Sequence, residues 1–236
     1  MSCAPQQAMQ PAGGVFRQEC VFLDLPNIVP HASCMSKPTL RERRHERNRE
    51  QILMAARELV LEVGVEHFSL RKLAERTHFS PASMYEYFDS KEALLQALAE
   101  RTIGQLGARM ARIPDSLRAS TRLARFAACY LSFAREYSED FLLAFLILPC
   151  KRKHLPGYPE GSPYARILKA ANDGLADGSF APQKAETIAY GAWALVHGLA
   201  TLQITHLKNH DVDFEAEDKK TVATWLRGLH SKPAKD

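Results

Sequence analysis

With 236 residues, 46% of them hydrophobic and 25% charged, the chain has length for one large domain or two modest ones around a buried core. No apolar run is long enough to span a bilayer, and a net charge of +4 permits a nucleic-acid partner without demanding one. Cys3, Cys20, Cys34, Cys129 and Cys150 have neither zinc-ribbon spacing nor the pattern of a secreted disulfide framework, so a soluble protein of the reducing cytoplasm is expected.

Residues 1–40 are rich in Pro, Gln and Gly, lack a helical period and read as a disordered extension. The apolar stretch VFLDLPNIV is short and broken by Asp24 and Pro26, unlike a signal peptide. Met35, just ahead of a basic run, is an alternative first residue. That run, RERRHERNRE at 41–50, holds five arginines and is either a solvated face or a grip on phosphate. In the second case Arg41, Arg43, Arg44, Arg47 and Arg49 would form an arm along a DNA backbone or minor groove.

Ile52, Ala56, Leu59 and Val63 recur at i, i+4, i+7 and i+11 and predict a helix closed by Gly64. Ser69 predicts the N-cap of a second helix that buries Leu70, Leu73 and Ala74. Thr77-His78-Phe79 makes a turn. Ser80 then caps a third helix with Pro81 at its first position and Met84 and Phe88 facing inward. Asp89-Ser90 starts a long fourth helix to about Arg112, where Gly104 and Gly107 would allow a bend. Helical patterns follow over 116–137, from Ser138 through FLLAFLIL to Pro149, from Pro163 to about Asp177, from Pro182 to about Asn209, and from Asp213 to Leu229. The Pro- and Gly-rich stretch 149–162, carrying Lys151, Arg152 and Lys153, is a loop. No segment alternates with period two. The expected fold is all-α, with an N-terminal helix-turn-helix domain at 41–95, a C-terminal helical domain at 96–230 and a tail at 231–236.

Two short helices around a three-residue break are the pattern of a helix-turn-helix, in which the second helix enters the major groove of double-stranded DNA. After Pro81, the residues Ala82, Ser83, Tyr85 and Tyr87 lie nearer the outer surface, and Lys91 and the tyrosine hydroxyls can reach phosphate oxygens. Ser69, Arg71 and Ser80 complete the candidate contact set. Positions 85 and 87 lie about 200° apart on a helix, so at least one tyrosine should be exposed.

The block AARELVLEVGVEHFSLRKLAERTHFSPASMYEYFDSKEALL resembles the TetR family of bacterial transcriptional regulators from about Arg47 to Leu95. The resemblance implies a homodimer, a palindromic operator, repression as the default and release by a small molecule. It also implies that Arg71 sits near the start of the supporting helix, that Pro81, Ala82 and Ser83 approach bases, and that Tyr85, Tyr87 and Lys91 hold phosphates. His78 stands where the family usually has glycine, which would demand a left-handed backbone, and Tyr87 often corresponds to a histidine. Further on, YGAWALVHGLATL is similar to the Trp-His-Gly signature of one C-terminal subgroup, carried by Trp193, His197 and Gly198.

Gly191, Leu195, Gly198 and Leu202 form one stripe, and two glycines inside a helix cost about 1 kcal/mol each unless another helix packs closely there. With Trp225 on the last helix they are candidates for a homodimer four-helix interface, the alternative being a seam within one subunit. Phe126, Cys129, Tyr130, Phe133, Phe141, Phe145, Tyr164, Trp193 and His197 are candidate ligand-pocket residues, or plain core. His206 and His210 stand at i, i+4, a metal pair or simply histidines at a helix C-terminus, with the second reading favoured and no metal expected. Cys129 and Cys150 could form a redox pair or be structural thiols. No G-x-S-x-G, phosphate-binding glycine loop or paired-carboxylate motif occurs, so neither an enzyme nor a cofactor is expected. The alternatives to a ligand-responsive regulator are a DNA-binding architectural or cell-cycle factor without an inducer, and a ligand- or metal-responsive protein that has lost DNA binding.

Overall fold

The structure is a computed structural model that describes residues 39–147 and 159–230. The extension before residue 39 with its alternative start at Met35, Cys150, the basic residues Lys151, Arg152 and Lys153, and the tail lie outside the described residues. Within them the chain is all helical: α1 Leu40–His67, α2 Leu70–Thr77, α3 Pro81–Tyr85, α4 Lys91–Met110, α5 Ala119–Glu136, α6 Ser138–Leu142, a π-helical turn Leu143–Ile147, α7 Pro163–Ala176, α8 Ala185–Ile204 and α9 Phe214–Leu229.

α1 starts at Leu40, well ahead of its apolar stripe. The basic run holds no Gly or Pro and intersperses Glu with Arg, so it continues the helix without burying a face. Arg41, Arg43, Arg44 and Arg47 are therefore exposed and carried on a helix. Gly64, with φ 79° and ψ 162°, ends the regular part of α1 in a conformation that other residues adopt only under strain.

The three expected serine caps are all formed. Ser69 Oγ accepts from the Lys72 N–H at 3.2 Å, Ser80 Oγ from Ser83 at 3.0 Å and Ser90 Oγ from Ala93 at 3.0 Å. Each such cap contributes about 1 kcal/mol. His78 takes the left-handed conformation (φ 57°) that its place in the turn required.

Two hydrophobic cores result. The front core gathers Ile52, Leu53, Ala56, Leu59, Leu73, Met84, Phe88, Leu94 and Leu98 from α1 to α4, together with Leu143 from the π-turn. The rear core gathers side chains of α4 to α9. Several boundaries differ from expectation. The apolar stretch after Ser138 is a short α-helix continued as a π-turn rather than one α-helix. α8 stops at Ile204, so His206 and His210 lie beyond it and share no helical face. No group of three or more metal-binding side chains occurs among the described residues. In α4, a Cβ on Gly107 would stand 3.3 Å from the Gly161 carbonyl, so this glycine serves a close approach to the start of α7 rather than a bend. No described helix is long and apolar enough to cross a membrane.

Candidate nucleic-acid interface and aromatic cluster

α3 is a single capped turn and a half, mounted on buried Met84 and Phe88. Pro81, Ala82 and Tyr85 stand outward, with Tyr85 58% exposed. Ser83 is half-buried, its hydroxyl 2.8 Å from that of Ser80. Arg71, at the start of α2, is exposed and pairs weakly with Glu75 at 3.3 Å.

Two expected phosphate contacts have other work within the fold. Tyr87 stacks on His45 of α1 with ring centroids 4.6 Å apart, and its hydroxyl accepts from Asn48 Nδ2 at 2.9 Å. Lys91 donates to the Val65 carbonyl at 2.7 Å, tying the start of α4 to the end of α1. Of the two tyrosines, Tyr85 is the free one. His45 and Asn48 were missed because they sit inside a charge run, where nothing in the sequence distinguishes a packing residue from a solvated one.

Behind this unit lies a ring cluster. Tyr130, Phe141, Phe145 and His197 surround one another, with centroids 4.7 Å (Phe141–Phe145), 5.5 Å (Tyr130–Phe141) and 5.7 Å (His197 to both phenylalanines) apart. Trp193 extends the cluster from His197 at 6.2 Å and Tyr164 extends it from Trp193 at 5.9 Å. The Tyr130 hydroxyl is 2.9 Å from His197 Nδ1 and accepts from the Trp193 side chain. Burial pushes the Tyr130 hydroxyl pKa up and the His197 pKa down, so both groups stay neutral. Two pocket candidates fall elsewhere. Phe133 packs on Tyr137 and under the Arg109 guanidinium, while Phe126 lines a cavity of about 10 Å³ with Tyr130, Leu195, Val196 and Trp225. A helical stripe cannot tell which of its aromatics will meet rings from other helices. Cys129 is half-buried, and burial raises its thiol pKa.

Between the two cores stands a feature that periodicity does not reveal. Arg57 of α1 forks onto Asp140 of α6, Nε to Oδ1 at 2.5 Å and Nη2 to Oδ2 at 3.0 Å, and reaches Glu139 at 3.1 Å. Bidentate geometry of this kind makes the stronger class of ion pair. Asp140 immediately precedes Phe141 of the ring cluster. The clamp borders a cavity of about 290 Å³ lined by Met54, Leu98, Tyr137 and Leu143 among others.

On α8, Gly198 and Leu202 face outward, but Gly191 and Leu195 do not. A Cβ on Gly191 would lie 3.6 Å from the Trp225 indole of the same chain. Half of the proposed stripe, together with Trp225, is thus an internal seam. The outward line is Tyr190, Ala194, Gly198 and Leu202, with open space at Gly198.

Comparison with known proteins places this geometry. Residues 52–98 match the family described as bacterial regulatory proteins, tetR family, and residues 123–223 match the tetracyclin repressor-like C-terminal domain. The tetracycline repressor protein class C of Escherichia coli is 44% identical over 52 residues, 22% of this chain and 24% of that protein. The chain thus spans about a quarter of the length of the tetracycline repressors of classes A and C and of the transcriptional regulator TcmR of Streptomyces glaucescens, all of which it matches. A protein of unknown function from Rhodococcus sp. RHA1 superposes with a TM-score of 0.62 at 29% identity, over 78% of this chain and 95% of that one. The transcriptional regulator FadR of Bacillus subtilis, solved with stearoyl-CoA, superposes with a TM-score of 0.63 at 18% identity, over 77% and 99%, a likeness of fold.

Proposed function

Because the chain belongs to the TetR family of bacterial transcriptional regulators, we propose that it represses transcription by binding a palindromic operator as a homodimer, and that a small molecule in the rear domain releases it. The observation that supports this reading best is the outward presentation of Pro81, Ala82 and Tyr85 on a capped, core-mounted helix. In this reading Ser83 and its neighbours approach bases, while Ser69, Arg71, Ser80, Tyr85 and the α1 arginines Arg41, Arg43, Arg44 and Arg47 hold the backbone. Tyr87 and Lys91 act mainly by bracing. The outward line of α8 supplies the two-fold contact that a palindrome requires, and the likeness of Trp193, His197 and Gly198 to the Trp-His-Gly signature supports reading the rear domain as a member of that subgroup. An inducer-free DNA-binding factor is the alternative.

Selection of genomic fragments by the purified protein tests the reading. Tyr85→Ala is expected to weaken binding to all selected fragments alike, whereas Ser83→Ala shifts which fragments are preferred. Arg44→Ala should also lower the slope of affinity against salt by about one. Unchanged fragment preference and affinity in folded Ser83→Ala and Tyr85→Ala proteins would remove α3 from the interface.

The link between the halves is better carried by the Arg57 clamp than by the α4 glycines, since Gly107 is held against the start of α7. Asp140→Asn, which weakens the fork without touching the DNA face, is expected to change operator affinity about fivefold or more with an unchanged salt slope. Gel shifts across a salt series read both quantities. An affinity within about twofold of the parent's would show the clamp to be structural only.

A further inference from the structure

The ring cluster carries information about the ligand as well as its location. Trp193 has a single side-chain donor and no acceptor, so its indole N–H must donate to the Tyr130 oxygen. The Tyr130 hydrogen is then free to point along the 2.9 Å contact to His197 Nδ1. A neutral imidazole accepting at Nδ1 carries its proton at Nε2. The three side chains form one directed chain of hydrogen bonds that ends in a single N–H donor, with no partner assigned to it among the described residues.

Among the described residues no charged group contributes to the pKa shift at His197, which burial lowers. A ligand carrying a net charge would be desolvated there with no counter-ion among those residues, at a cost of several kcal/mol. The cavity that Tyr130 shares with Phe126 holds about 10 Å³, space for a single water, and none of the cluster's rings lines the cavity of about 290 Å³ at the Arg57 clamp. The rings fill one another's space, so a guest enters by exchange. Phe145 is the ring to exchange. Phe141 is fully buried on α6, whereas Phe145 is only half-buried and sits on the π-turn. π-turns insert one extra residue into a helix, and each residue of re-registration swings a side chain by about 100°. Leu143, two residues earlier on the same turn, is buried in the front core, so a turn that releases Phe145 also disturbs the packing behind the DNA face.

We infer that the ligand is an uncharged, planar aromatic molecule with one hydrogen-bond acceptor, which replaces the Phe145 ring among Tyr130, Phe141 and His197 and accepts a hydrogen bond from His197 Nε2. This rests on reading the rear domain as an effector domain, and names the chemistry that such a domain takes here.

Four probes separate the elements of the claim: methyl naphthyl ketone (planar, neutral, one acceptor), naphthalene (no acceptor), naphthoate (charged) and a linear decanone (acceptor without a ring). Calorimetric titration of the full chain should show binding of the ketone, with naphthalene weaker by about tenfold for the missing hydrogen bond and naphthoate weaker by about a hundredfold or more. The decanone should bind weakest of the neutral probes. His197→Phe, which keeps a ring and removes the donor, should bring the ketone and naphthalene to equal affinity. Phe145→Ala should tighten ketone binding about tenfold, since no ring then has to leave. The inference is overturned if none of the probes binds, if naphthoate or decanone matches the ketone, if His197→Phe preserves the ketone's advantage, or if Phe145→Ala leaves ketone affinity unchanged. Operator gel shifts with the same probes keep the two readings apart. A decanone or naphthoate that binds and releases DNA leaves the effector domain standing and removes this ligand class; a ketone that binds without altering operator affinity does the reverse.

Discussion

Truncating Phe141 to alanine is expected to destabilise the protein by about 3–5 kcal/mol, the upper range for loss of a buried aromatic. The ring is 0% exposed and is packed by Tyr130 at 5.5 Å, Phe145 at 4.7 Å and His197 at 5.7 Å. Relief by local collapse is restricted, because α6 is held from both sides. Its backbone is tied to Tyr137, whose carbonyl accepts from the Phe141 N–H at 2.8 Å, and the adjacent Asp140 is forked by Arg57. A void that cannot close retains its full cost. Denaturant titration should show the loss at unchanged slope, and the thermal midpoint should fall by about 2–4 °C per kcal/mol. A loss below about 1 kcal/mol would mean that Phe145 moves into the space, and would contradict the restraint assigned to α6.

The second large effect concerns a buried charge. The Arg122 side chain is 3% exposed, bonded to Asp173 at 2.7 Å with Asp115 farther away at 3.7 Å, and its Nε is buried without a hydrogen-bond partner. Removing the carboxylate strands the cation, whereas replacing the arginine by an apolar chain of similar length removes the problem itself. Asp173→Ala is therefore expected to cost about 3 kcal/mol, and Arg122→Met much less, within about 1 kcal/mol of the parent in either direction. Equal losses in the two variants would contradict this account. The pair also sets an acid limit. The Arg122 bond holds the Asp173 carboxyl below its ordinary range. As pH falls the unfolded chain takes up that proton first, so the contribution is complete above about pH 4 and is lost progressively below it. Arg122→Met should remove that part of the acid sensitivity. Asp173 is 46% exposed, and water screens the pair enough to keep this share of the pH dependence small.

The front of the molecule was largely legible in one dimension. Ser69, Ser80 and Ser90 each cap a helix through a neighbour three residues away, and His78 bends the chain through its own φ. What the local pattern there did not reveal were contacts made at a distance: Lys91 reaches Val65, and Tyr87 finds Asn48 across 39 positions. The rear was legible as helices and illegible as a site. Phe126, Tyr130 and Phe133 are equally good members of one apolar face, yet only Tyr130 meets His197, from 67 residues away.

The physical ground for the division is range. Helix starts, stops and turns depend on caps, glycines and prolines acting within about four residues, and for these the order of amino acids was by itself sufficient, as it was for the all-helical class and the helix-turn-helix. The ring cluster, the Arg57–Asp140 fork across 83 positions and the inward face of Gly191 exist only once separate helices have packed, because close packing decides which of several equivalent side chains touch. Those partnerships were settled by the tertiary structure alone.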